Sequence, residues 1–247
     1  MPIQLPAVLS AADLPATELS AARLDGELFE VADCFSPIDL PDGAILRAQS
    51  LAQDLSSRVI VERRSAAWVL GATEVAPVFP QYCSTAEARA KPAAIRRLAV
   101  REVVIEPHEI ICLGGVRVTS ALRTACDLVR SSTEFDTVTQ LVVLRLLQLG
   151  QATIEDCVAL LDGRRNLPGK RRTLDRLRSM TVPPSAVADA VDVVHGVNAS
   201  DGVEHAVEMG GIPHLEDELA ECQPVRRGGD RRREDVHVVL GQYAGDV

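Results

Sequence analysis

Aromatic side chains are nearly absent from this chain: Trp, Tyr and Phe make up 3% of its 247 residues. Single-stranded nucleic acids are held largely by stacking bases on exposed rings, so that mode has little material here. The core must be built instead from Ala, Val, Leu and Ile. Lysine is also scarce, with Lys91 and Lys170 the only two among 26 basic residues. Arginine therefore supplies almost every positive charge, and its placement says more than its number. The six cysteines, Cys34, Cys83, Cys112, Cys126, Cys157 and Cys222, form no C-x-x-C pair. Scattered among apolar neighbours, they read as small buried hydrophobes in a reducing compartment. The most apolar run, Val138 to Leu149, is interrupted by Arg145 and Gln148 and is too short to span a membrane. No basic residue precedes the first apolar stretch, so the N-terminus does not read as a signal peptide, and a cytoplasmic location is expected. G-x-S-x-G, H-E-x-x-H, G-x-G-x-x-G and G-x-x-x-x-G-K-[ST] are all missing. Nothing nominates a catalytic residue, a metal or a cofactor, so the expectation is a protein that acts by binding.

What is present is a division of charge. The net charge is −9. Residues 1–55 carry two basic and nine acidic side chains, residues 56–180 nineteen and thirteen, and residues 181–247 five and thirteen. A basic middle between two acidic ends argues for separate modules.

Hydrophobic spacing and punctuation give the elements. A helix is expected from Ser10 to Asp25, with Leu14, Leu19 and Leu24 on one side. A hairpin follows, Leu28–Val31 with Cys34–Ile38, and then a helix from Ala44 to Leu55. Val59–Val61 reads as a short strand, and Ser65–Leu70 as a helix stopped by Gly71. Branched residues mark strands at Val78–Cys83, Leu98–Ile105, Ile110–Leu113 and Val116–Val118, the last two joined by Gly114-Gly115. Ser120 or Thr119 caps an amphipathic helix, Ala121–Arg130. Asp136–Leu149, apolar almost all round and ended by Gly150, reads as a central core helix. Thr153 and Asp156 form a capping box for a helix to Leu161, and a last helix is expected from Asn166–Pro168 to about Ser179. Residues 181–247, broken by Pro183-Pro184 and without a sustained period, read as poorly ordered.

Four constellations are candidates for chemistry. Arg164, Arg165, Lys170, Arg171, Arg172, Arg176 and Arg178 fall within fifteen residues. Guanidinium groups bind phosphate oxygens in bidentate fashion, so this segment could meet DNA or an acidic protein face; a solvated helix braced by ion pairs explains it equally well. The strand–turn–helix from Gly114 to Ser120 could hold an anion at a helix N-terminus, although an ordinary hairpin and N-cap account for it. Arg123 and Asp127, four apart, could orient a ligand; an i,i+4 surface pair is the simpler reading. Asp201, Glu204, His205, Glu208 and His214 mix metal-ligating types without a metal-site spacing.

Three stretches carry a family likeness. They are Glu62-Arg-Arg-Ser-Ala-Ala-Trp-Val-Leu-Gly71, Gly115-Val-Arg-Val-Thr-Ser-Ala-Leu-Arg-Thr-Ala-Cys-Asp-Leu128, and Asn166-Leu-Pro-Gly-Lys-Arg-Arg172. Together they resemble the AbiEi-type antitoxins of type IV toxin–antitoxin systems, over roughly residues 1–180. The V-T-S-x-L-R-T-A-x-D-L string is the most specific part. The resemblance implies a winged helix-turn-helix followed by an antitoxin domain, repression of the family's own operon, and a nucleotidyltransferase-like toxin as partner.

The fold expected is therefore α+β. A small, partial winged-helix-like module occupies 1–55, a mixed α/β domain with a short sheet and a helical C-terminal part occupies 56–180, and an acidic extension follows. In the N-terminal module Arg23 is the only base before Arg47, so DNA phosphates would be repelled there. Any phosphate contact moves toward Arg164–Arg178. Besides the antitoxin, a stand-alone DNA-binding regulator and a remnant without activity remain open.

Overall fold

The computed structural model describes residues 6–53, 55–85, 100–165 and 167–180. Among them are seven α-helices and two small sheets in an α+β arrangement.

The chain begins with a helix–hairpin unit. Helix α1 runs Ala16–Leu24, shorter than its hydrophobic spacing suggests, because Pro15 stands at its N-cap. Proline disfavours helical conformation in the residue before it, so the chain turns at Ser10–Leu14 instead. There Asp13 accepts from both the amide and the hydroxyl of Ser10. Strands β1 (Leu28–Val31) and β2 (Cys34–Pro37) pair antiparallel, with Val31 opposite Cys34. The two-residue turn puts Ala32 at φ 51°. A small core of Leu9, Leu19 and Leu28 ties helix to hairpin.

Helix α2 (Ala44–Ala52) leads into a five-stranded sheet of order β5-β4-β3-β7-β6. The strands are β3 (Ile60–Val61), β4 (Tyr82–Thr85), β5 (Val100–Val103), β6 (Ile110–Leu113) and β7 (Val116–Thr119). Central β3 is only two residues long and fully buried, antiparallel to β4 and parallel to β7. Strand β4 starts at Tyr82 rather than Val78. Pro77 and Pro80 have no N–H to give a ladder, and Val78 and Phe79 are left exposed. Residues 98 and 99, at the start of the strand expected up to Ile105, lie outside the described residues. Gly114 and Gly115, both at positive φ, make the β6–β7 turn as expected.

Helix α3 (Arg63–Val69) follows β3 directly and ends in a Schellman turn, with Gly71 at φ 79° and the Ala72 amide bonded to the Ala67 carbonyl. Helices α4 (Ala121–Ser131), α5 (Thr137–Leu149), α6 (Ile154–Asp162) and α7 (Lys170–Ser179) form the C-terminal part. Their caps match expectation at Ser120 and Thr153, and Asp136, expected as the first residue of its helix, caps α5. Two details differ. Helix α5 buries only Val143, Leu146 and Leu147 fully, so it lies against α4 along one side rather than at the centre. Helix α7 begins at Lys170, because Gly169 is left-handed at φ 75° and cannot be a helical residue; Asn166 lies outside the described residues.

One hydrophobic cluster joins the N-terminal hairpin to the sheet, from Val8, Val31 and Cys34 through Leu46 and Leu51 to Val61, Trp68, Tyr82 and Val118. A second fills the helical part, around Val129, Leu146, Leu161 and Leu177. Among the described residues no helix is long and apolar enough to cross a membrane.

Candidate functional site

The basic segment does two different things. Four of its seven cations are occupied in closing other helices or binding carboxylates. Arg176 donates to the carbonyls of Val129 (2.9 Å), Ser132 (2.8 Å) and Thr133 (3.1 Å), and its guanidinium lies over the Phe135 ring. It satisfies the carbonyls left open at the C-terminal end of α4. Lys170 does the same for α6, donating to the Asp162 carbonyl at 3.1 Å and pairing with its carboxylate at 3.2 Å. Arg172 reaches the Arg130 carbonyl at 3.4 Å. Arg164, between α6 and α7, grips both carboxylate oxygens of Glu109. That leaves Arg165, Arg171 and Arg178 exposed and without a polar partner among the described residues. Arg171 and Arg178 are seven apart and so share one side of α7.

Arg123 and Asp127 also differ from the surface pair their spacing suggests: both are buried, at 2% and 4% exposure. The polar side of α4 does not face water. It faces the edge of the sheet, the 3-10 turn Pro107–Glu109 and the α6–α7 connection. Arg123 Nε donates to Asp127 at 2.7 Å, and its Nη1 donates to Glu109 at 2.9 Å and to the Val104 carbonyl at 3.3 Å. Arg130, one turn further along α4, binds the other Asp127 oxygen at 2.9 Å. Arg101, on β5, makes a fork with Glu62 at 3.1 and 2.5 Å and comes within 3.8 Å of Asp127. Glu62, the residue after β3, also sits 3.6 Å from Arg63. The result is one network: carboxylates Glu62, Glu109 and Asp127, all buried, among guanidiniums of Arg63, Arg101, Arg123, Arg130 and Arg164.

The electrostatics follow from this crowding. Burial and neighbouring guanidiniums, partly offset by Asp127, push the Arg130 pKa down. Burial works the same way on Arg123, but Asp127 and Glu109 outweigh it and the pKa rises. Burial, reinforced by Glu62, pushes the Cys83 thiol well above its usual range, so it stays neutral. Arg101, Arg123, Arg130 and Arg164 line a cleft of about 670 Å³ together with the apolar Val103, Leu160, Leu167 and Pro168.

The expected resemblance string runs through this site. Val118 is in the sheet core. The Thr119 and Thr124 hydroxyls lie 2.7 Å apart, and Thr124 also donates to the Thr119 carbonyl at 3.1 Å. Ser120 accepts from the Arg123 amide at 3.4 Å. Arg123 and Asp127 then anchor the network. The strand–turn–helix is thus a hairpin followed by an N-cap. Glu62, Arg101 and Glu109 were not visible as partners in the sequence, since nothing in their spacing shows that β3, β5 and the turn before β6 converge on α4. The histidine and carboxylate set from Asp201 to His214 lies outside the described residues. Among the described residues, no three His, Cys, Asp or Glu side chains are placed to hold a metal ion.

By its fold and site the chain is an α+β protein built around an arginine–carboxylate network with an open cleft. No protein-family model matches it, and no curated protein does. Among solved structures it is similar to the crystal structure of the RV2827C protein from Mycobacterium tuberculosis, at 16% identity over 82% of this chain and 83% of that one, with a TM-score of 0.39. A likeness at that score carries no argument about this chain.

Proposed function

We propose that the protein is an antitoxin-like regulator of a type IV toxin–antitoxin system, acting by binding and counteracting a nucleotidyltransferase-like toxin. One observation carries the reading: the string from Val118 to Leu128, which resembles the AbiEi-type antitoxins. Its polar members Thr119, Ser120, Arg123, Thr124 and Asp127 each bond within one strand–helix junction. They work as a unit, which supports treating the string as one signature rather than as scattered matches. Co-expression with a nucleotidyltransferase encoded beside this chain is the test. Growth should recover when this protein is present, and growth arrest unaffected by it would reject the reading.

A second reading, a DNA-binding regulator, is favoured by one specific feature. Arg165, Arg171 and Arg178 are exposed and uncommitted among the described residues, whereas α1, which would serve as a reading helix, carries Glu18 beside Arg23 and is followed by Asp25. Phosphate contacts by guanidiniums release counterions, so affinity for duplex DNA should fall steeply with salt. Arg171→Ala combined with Arg178→Ala should weaken binding and flatten that salt dependence. Unchanged binding in the double variant would sink the DNA reading and leave the antitoxin reading standing.

A further inference from the structure

We propose that the cleft between α4, β5 and the α6–α7 connection binds a small phosphate-bearing ligand, held by Arg101, Arg130 and Arg164 with Arg165 at the rim. The inference is independent of the antitoxin reading and rests on the cleft alone.

The first argument is charge. Five guanidiniums, of Arg63, Arg101, Arg123, Arg130 and Arg164, share three buried carboxylates, Glu62, Glu109 and Asp127. The network therefore holds two positive charges in excess. Only Arg123 among the guanidiniums is fully buried; Arg63, Arg101, Arg130 and Arg164 keep 18–31% of their side chains exposed, so the excess charge sits where an anion can reach it. Glu102 and Glu106 also line the opening, but both are exposed, where solvent screens them.

The second argument is unused donors. A guanidinium has five N–H groups in a rigid fork. Arg130 spends one nitrogen on Asp127, which Arg123 and Arg101 already approach. Arg101 leaves its Nη1 without a partner among the described residues. These spare donors belong to residues that line the cleft. Guanidinium forks match phosphate oxygens in bidentate geometry, and several forks converging on one cleft suit a phosphate, which offers more oxygens than a single carboxylate.

The third argument is shape. A volume of about 670 Å³ lies within the ordinary range for small-molecule sites. Val103, Leu160, Leu167 and Pro168 add apolar surface to the same lining as the arginines. Such a site takes a ligand with a charged end and an apolar or planar body, as a nucleotide has; a free polyphosphate would meet the arginines alone.

The test is calorimetric titration of the full chain with ATP, AMP, pyrophosphate and adenosine, at low salt. ATP should bind, and adenosine should not. Pyrophosphate binding as tightly as ATP would mean that the arginines alone do the recognising; tighter ATP binding would mean that the apolar wall contributes. Either result supports the site. Arg130→Gln should weaken ATP binding at least tenfold while leaving Asp127 paired with Arg123, so the fold should survive. Arg165→Gln, at an exposed residue with no polar partner to lose among those described, should weaken it a few-fold. Thermal unfolding of each variant without ligand checks folding. The proposal is overturned if neither ATP nor pyrophosphate binds at millimolar concentration, if adenosine binds as well as ATP, or if both variants bind like the parent. It is equally overturned if a short oligonucleotide binds and ATP does not.

Discussion

Arg123 carries a full charge at a position with almost no access to water, and two carboxylates depend on it. Glu109 and Asp127 are themselves buried; Glu109 also has Arg164, and Asp127 has Arg130 with Arg101 3.8 Å away. Replacing Arg123 with Met keeps much of the volume and removes the charge between them. Breaking a buried pair on one side costs about 3–5 kcal/mol when the charge left behind has no other partner; Arg164 and Arg130 remain here, so the lower end of that range applies. Arg123→Met should lower stability to urea by about that much, and a loss below about 1 kcal/mol would show that water reaches the network. Arg171→Met on exposed α7 should change stability by less than about 0.5 kcal/mol in the same measurement. The two arginines look alike in the sequence, two and one residues respectively after the first residue of their helices. Only the tertiary packing of α4 against the sheet edge separates them.

At the scale of elements, the ends of helices were more legible than their surroundings. Gly71, Ser120 and the Thr153–Asp156 box all act where their chemistry placed them. A cap is a local bond between residues three or four apart, so spacing alone reveals it. The Asp136 side chain accepts from the Thr139 amide at 2.8 Å, and this bonding holds its carboxyl below the ordinary value of 3.8. A depressed folded value stabilises above the unfolded one and is lost as pH falls through the folded value. Asp136→Ala should therefore cost about 1 kcal/mol at pH 7, and the gap from the parent should narrow as pH drops below 3.8. Equal gaps at pH 7 and in acid would show that the carboxylate charge is irrelevant.

Helix α5 shows where local reading stops. Gly150 looks like its glycine terminator, yet its φ is −85°, and the left-handed position is Gln151 at φ 47°. The Schellman bonds run from Gln151 to Gln148 and from Ala152 to Leu147, so Gln151 is the residue that bears the strain. Gly150 is required for room instead: a Cβ there would lie 2.9 Å from the Cβ of Ala121 on α4. Gln151→Gly should raise stability by roughly 1 kcal/mol, and Gly150→Ala should lower it by about 1–3 kcal/mol. Chemical denaturation of the two variants distinguishes the roles; effects of the same sign would contradict this assignment. Which of two adjacent residues turns left-handed depends on how closely α4 approaches, and that distance is not written in either residue. The same limit applies to Pro77 and Pro80, which moved β4 forward, and to the buried network, whose members come from five separate parts of the chain.

At the scale of the whole molecule, the charge division and the hydrophobic packing follow different boundaries. Charge changes sign near residue 55, but the main hydrophobic cluster crosses that point without interruption. The crossing is also bonded: Tyr82 donates its hydroxyl to the Leu51 carbonyl at 2.7 Å, and Arg47 reaches the Trp68 carbonyl at 3.2 Å. Burial pushes the Tyr82 pKa upward, as expected for a phenol held on a carbonyl away from water. Trp68, the single tryptophan, lies in this cluster at 3% exposure and donates its indole N–H to the Glu74 carbonyl at 3.1 Å. Its fluorescence therefore reports on the α2–α3 contact that holds the helix–hairpin unit to the sheet. A shared core favours cooperative loss of both parts. The tryptophan signal and the far-ultraviolet circular dichroism should change together in urea, with one midpoint. Leu46→Ala, in α2 on the N-terminal side of the charge boundary, should cost about 2–5 kcal/mol through the cavity it leaves and should move both signals equally. If Leu46→Ala shifted an early circular-dichroism phase while the Trp68 midpoint stayed fixed, the helix–hairpin unit would be folding on its own, and the continuous cluster would not couple it to the arginine network beyond the sheet.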